Sequence, residues 1–175
     1  MLVGTGTVTE PSKVKRSITL RQHPKASNFG FSLFELIITI AIAAIFAALA
    51  APSFRDFVAG QRVKTTSYDI SSALVVARSE ALKRNLNVVL APKTGGWQNG
   101  WTITAGTGGP MLGQREAFAD LTISGPATNL TYNSSGRLMA AVTPFTVGSS
   151  VSTSVSPRCI SIDLSGLPAS KTGAC

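Results

Sequence analysis

Gly30-Phe31-Ser32-Leu33-Phe34-Glu35-Leu36 opens a stretch that then runs without a charge through Pro52 to Phe54. As a helix rising about 1.5 Å per residue, 31–54 is long enough to cross the roughly 30 Å hydrocarbon core of a bilayer. The stretch predicts one membrane-spanning helix, to which the rest of the chain is attached. Glu35 is the exception within it, because an ionisable group there costs on the order of a few kcal/mol unless it is paired or reaches the interface. Cutting the chain between Gly30 and Phe31 would free an α-amine, and on a neighbouring copy of the same helix that amine would pair with Glu35. This reading accounts for both the glycine and the acid.

The seven residues from Gly30 to Leu36 resemble the class III signal of type IV pilins and pseudopilins. The resemblance implies that prepilin peptidase cuts after Gly30 and methylates the new N-terminal Phe31. Glu35 then becomes the fifth residue of the mature chain and the group through which subunits assemble. A proline placed like Pro52 is common in pilins and implies a bend where the helix leaves the bilayer. The competing reading is an uncleaved signal anchor with a glutamate present by chance.

On this reading residues 1–30 are a cleaved leader, 31–54 the transmembrane and assembly helix, and 55–175 one small periplasmic domain. The formal charge of +8 divides unevenly, since Lys13, Lys15, Arg16, Arg21 and Lys25 stand in the leader against the single acid Glu10. A basic leader fits the retention of positive charge on the cytoplasmic side. The leader lacks an apolar core of its own, which separates it from an ordinary secretory signal. The modest excess left in the mature part is a weak argument for a nucleic-acid partner, and none is expected. Cys159 and Cys175 both fall near the C-terminus, in the part placed outside the cytoplasm. A disulfide between them is expected, closing a short loop and contributing about 3 kcal/mol; two free thiols are the alternative.

The residues offer little catalytic chemistry. The one histidine, His23, lies in the leader and would be removed with it, leaving no imidazole base and no His-containing metal site. No cofactor, metal or enzyme activity is expected. Glu116 and Asp120 stand four apart without further carboxylates and read as solvated surface. Gly106-Thr107-Gly108-Gly109-Pro110 lacks the Gly-Lys-Ser/Thr ending of a phosphate loop and reads as a turn. Ser170-Lys171 is a pairing common by chance.

After Pro52 the apolar residues Phe54, Val58, Val63, Ile70, Leu74, Ala77 and Ala81 recur at helical spacings between charged ones, so one helix is expected from about Phe31 to about Asn85. Beyond it, short β-branched and aromatic runs cut by Gly, Pro and Asn predict antiparallel strands at 87–91, 101–105, 121–124, 129–132, 137–140, 144–147 and 158–163. Residues 147–156 read as a loop or frayed strand, and Trp97 and Trp101 as core or edge aromatics. The expected class is α+β, one long helix packed on an antiparallel sheet.

The run from Ala73 to Asn85, the turn Gly96-Trp97-Gln98-Asn99-Gly100-Trp101 and the ending Arg158-Cys159-Ile160-Ser161-Ile162-Asp163 with Gly166 are similar to the GspH/FimT group of minor pseudopilins and pilins. That implies a structural subunit of a type II secretion pseudopilus or a type IV pilus, held in the bacterial inner membrane. Its partners would be prepilin peptidase and other pilin-like subunits. Two other functions compete, a DNA-receptor minor pilin for natural transformation and an anchored binding domain that never polymerises. DNA-binding members resemble one another in a C-terminal Gly-Arg-x-Arg motif. Here the stretch is Gly166-Leu167-Pro168-Ala169, with the glycine kept and both arginines absent.

Overall fold

The structure is a computed structural model that describes residues 30–175. The leader up to residue 29, with His23, lies outside the described residues. The chain divides into two compact units, one ending at Ile40 and the other spanning Ala41–Cys175.

Helix α1, Leu33–Arg84, holds 52 residues, with Pro52 inside it. Its start is chemically marked: the Ser32 hydroxyl accepts a hydrogen bond from the Glu35 amide at 3.1 Å, which satisfies one of the free N–H groups of the first turn. Its end is marked as well. Asn85 takes the left-handed conformation at φ 52°, and the Leu86 amide reaches back to the Ala81 carbonyl at 3.3 Å, the closing pattern of a Schellman turn.

The helix buries Ala59, Val63, Thr66, Ser67, Ile70, Ala73, Leu74, Ala77 and Ala81. Ile70 and Leu74 are large residues on that face, each contributing roughly 2 kcal/mol by leaving water. Ala59, Ala73, Ala77 and Ala81 complete the buried face. Buried Ser67 is satisfied within its own helix, donating to the Lys64 carbonyl at 2.7 Å. Phe54, expected on this inward face, is instead 66% exposed. The covered face begins only at Ala59, so Phe54 has no sheet to pack on, and Val58 is half-buried.

The strands form two four-stranded antiparallel sheets rather than one. The first has the order β3-β2-β1-β5, from β1 (Val88–Pro92), β2 (Trp101–Ala105), β3 (Met111–Arg115) and β5 (Leu130–Tyr132). The second has the order β4-β6-β7-β8, from β4 (Leu121–Ser124), β6 (Phe145–Ser149), β7 (Arg158–Ile162) and β8 (Pro168–Thr172). Register aligns the apolar positions across the ladders: Leu90 stands opposite Ile103 and Leu130, Val88 opposite Tyr132, Val147 opposite Ile123, and Phe145 opposite Ile160. These residues and the buried helix face make one core.

Trp97, on the 3-10 turn Trp97–Asn99 between β1 and β2, joins the two sheets. Its indole meets Phe145 of the second sheet edge-on at 4.7 Å and donates to the Pro126 carbonyl at 2.9 Å. A Cβ on Gly125 would fall 2.4 Å from the Phe145 ring, so this crossing point needs glycine. Trp101 is buried on β2 beside Phe118.

Three differences from the expected strands have local causes. Residues 137–140 form no strand, only an isolated bridge between Tyr132 and Leu138. The Asn133 side chain accepts from the amides of Ser135 and Arg137, curling the chain into a turn before a ladder can grow. Strands β3 and β8 lie outside the expected set, because unlike the outer strands β4 and β5 they lack an alternating apolar pattern, neither burying a side chain fully. Strand β6 runs on to Ser149 before the serine-rich loop begins.

Candidate functional site

The functional chemistry expected at the N-terminus sits on residues 30–35, in the first unit. Gly30 and Phe31 precede the first helical turn, so the peptide bond between them is not locked in helical hydrogen bonding. Among the described residues beyond its chain neighbours, no atom lies within 4 Å of where a Gly30 Cβ would stand, and Phe31 is 74% exposed. A bond in this setting is open to a peptidase that binds extended backbone. Glu35 is exposed on the first turn and forms no ion pair among the described residues. Its carboxylate is therefore free for an external cation, while the helix N-terminus suits an acid there. Ser32 escaped the sequence reading, although Ser-x-x-Glu ahead of an apolar run is a recognisable start signal for a helix.

The apolar part of α1 is long and apolar enough to cross a membrane, and none of it is buried. Pro52 lies inside the continuous helix.

Within the second unit, Cys159 and Cys175 are joined in a disulfide. It ties β7 to the chain just beyond β8, so the strap from residue 163 to the C-terminus is closed on itself. Gly166 turns this strap at φ 80°, and a Cβ there would lie 2.7 Å from both the Gly136 carbonyl oxygen and the Tyr132 ring. The Tyr132 hydroxyl donates to the Gly166 carbonyl at 3.2 Å. Burial pushes that phenol up to about 12, against a smaller opposing effect from Arg78. Gly166 thus has a packing role that needs no ligand. The Asp163 carboxyl is held below its usual range, chiefly by the Ser165 hydroxyl, and that of Glu80 chiefly by the hydrogen bond from Arg84.

The candidate catalytic groups do not converge. Glu116 pairs with Lys93 at 2.7 Å and Asp120 pairs with Arg62, all exposed or nearly so, as a solvated surface would have them. The segment 106–110 is the tight connection between β2 and β3, with the Ala105 amide donating to the Pro110 carbonyl at 3.0 Å. Ser170 and Lys171 are successive residues of β8, so their side chains point to opposite faces. The cations near the tail are separated in the same way. Lys171 stands opposite Cys159 in the ladder, while Arg158 stands opposite Thr172 on the other face, its guanidinium 5.8 Å from the Tyr68 ring of α1.

A family model described as type II transport protein GspH matches residues 67–166. The chain belongs to the GspH family. The prokaryotic N-terminal methylation motif matches residues 25–51, the segment that carries Gly30, Phe31 and Glu35. The GspH match begins on the buried half of α1 and ends at Gly166, so it takes in β1 to β7 of both sheets. Two crystal forms of the Pseudomonas aeruginosa type IV minor pilin FimU are similar in structure. One is 22% identical with a TM-score of 0.53, covering 62% of this chain and 91% of FimU; the other is 21% identical with a TM-score of 0.55, covering 63% and 89%. They share the pilin fold of a long helix packed on antiparallel sheets. Comparison with curated proteins finds no match. As a GspH-family chain with the methylation motif, this is a minor pilin or pseudopilin, a class of structural subunits.

Proposed function

We propose that this chain is a minor subunit of a type II secretion pseudopilus or a type IV pilus. It is made as a precursor with leader 1–30, is held in the bacterial inner membrane by 31–54, and places 55–175 in the periplasm. Prepilin peptidase cuts after Gly30 and methylates Phe31. The apolar helix then packs with other pilin-like subunits, and Glu35 pairs with the α-amine of a neighbour. The observation that carries this reading is the open, non-helical Gly30-Phe31 bond immediately before a capped apolar helix whose first turn holds an unpaired acid. That arrangement serves processing and assembly and has no evident use in a monomeric anchor.

The test is the mass of the chain recovered from assembled filaments. A mature form beginning at Phe31 with one added methyl group is expected, and Gly30→Val should leave the full-length precursor. Glu35→Ala should enter the membrane but co-purify poorly with other pilins. Recovery of an intact leader, or undiminished co-purification of the alanine variant, would refute processing or pairing respectively.

A further inference from the structure

We propose that the end of the globular unit nearest the apolar helix docks on the anionic headgroups of a phospholipid layer, with Arg55 as the principal phosphate contact. The inference rests on the membrane-spanning reading of 31–54 and adds to it a lipid contact made by the soluble part.

Two segments far apart in sequence meet there. Phe54 ends the uncharged run and Arg55 is the first charged residue after it, so less than one helical turn separates lipid-compatible surface from the first cation. At the same level the loop after β6 comes down from the second sheet. The Ser152 hydroxyl donates to the Asp56 carboxylate at 2.6 Å, fixing the loop to the helix. Between them lies a cleft of about 360 Å³ with Val58, Ala59 and Val151 as apolar walls and Arg55, Arg62 and Asp120 as its charged groups.

Arg62 pairs with Asp120, whereas Arg55 is exposed and forms no ion pair among the described residues. Ser152 holds one oxygen of the Asp56 carboxylate, and no acid forms an ion pair with Arg55 among the described residues. Val151 shares the cleft with Arg55 and is 62% exposed, while Phe54 and Phe57, on the same turn of the helix but on other sides of it, are 66% and 61% exposed. Aromatic and aliphatic side chains standing in water at the level of an unpaired guanidinium suit the boundary where acyl chains give way to phosphates. A guanidinium also takes a phosphate through two parallel hydrogen bonds. Charge sign selects anionic over zwitterionic headgroups, and adjacency to the apolar helix selects a lipid over a free anion.

The full chain placed in nanodiscs tests this by hydrogen exchange of the amides in 54–62 and 148–156. Discs containing phosphatidylglycerol should protect both segments about fivefold more than pure phosphatidylcholine discs, the worth of one cation at an anionic surface. Arg55→Gln, which removes no ion pair of the fold, should return exchange to the phosphatidylcholine level, and high salt should do the same. Equal exchange in the two kinds of disc overturns the docking. Protection produced by inorganic phosphate in phosphatidylcholine discs would show a free-anion site and overturn the lipid assignment. A chain that enters neither disc refutes the membrane reading and the docking together, whereas entry with equal exchange refutes the docking alone.

Discussion

Tyr132 is fully buried, and its hydroxyl reaches out of the first sheet to the Gly166 carbonyl in the turn that precedes β8. Burial raises its pKa from 10.0 to about 12, so the folded protein keeps the phenol proton where the unfolded chain loses it. The sign follows: Tyr132's contribution is complete below pH 10 and is lost as pH rises toward the folded value, with a limiting slope of about 1.4 kcal/mol per pH unit. Tyr132→Phe should cost about 1 kcal/mol near neutral pH by removing the hydrogen bond, yet lose stability less steeply at alkaline pH. Denaturant unfolding of both proteins across that range measures it, and parallel alkaline slopes would show that the phenol does not titrate this way. At this scale the sequence was partly legible. Gly30, Phe31 and Glu35 stood out because their chemistry is local. Gly166 was noticed as the remnant of a motif, while the ring and carbonyl that require it come from Tyr132 and Gly136, about 30 residues earlier.

Strand β8 is an edge strand held by its ladder to β7 and by the Cys159–Cys175 disulfide, with no side chain fully buried. Its tie to the domain therefore depends on the cross-link more than on packing. Reducing the disulfide in the full chain should remove about 3 kcal/mol and lower the thermal midpoint by on the order of 10 °C. Amides of 168–172 should exchange much faster after reduction while those of 101–105 change little. Uniform acceleration across both would mean that β8 is integral to the core. Helix α1 was legible almost to its ends, because its pattern is dense and its termination chemistry is local. The outer strands divide: β4 and β5 alternate buried and less buried residues and were legible, whereas β3 and β8 carry no such alternation and were not.

For the whole molecule, charge placement decides between structural and DNA-binding roles. The tail lacks both arginines of the Gly-Arg-x-Arg motif, and the nearby cations do not gather: Lys171 and Arg158 lie on opposite faces of the second sheet. Affinity for a duplex falls steeply with the number of phosphates neutralised, so dispersed cations hold it poorly. The full chain in detergent should bind duplex DNA weakly or not at all at about 0.15 M salt. A gel shift giving a low-micromolar complex, abolished by Arg158→Ala with Lys171→Ala, would put DNA uptake ahead of the structural role.

The sequence by itself determined the membrane-length helix and its continuation onto the domain, the place where both end, the α+β class, the four inner strands, and the outer strands β4 and β5. Each follows from neighbours within a few positions: an uncharged run, a helical period, a β-branched stretch between turns. Only the tertiary structure decided that the strands divide into two sheets joined through Trp97 and Phe145, that Phe54 lies beyond the covered face, and that β3 and β8 exist. It also brought Arg55 beside the loop of Val151 and Ser152. These depend on pairings between residues tens of positions apart, where backbone hydrogen bonds carry the stability and leave no period in the side chains to read.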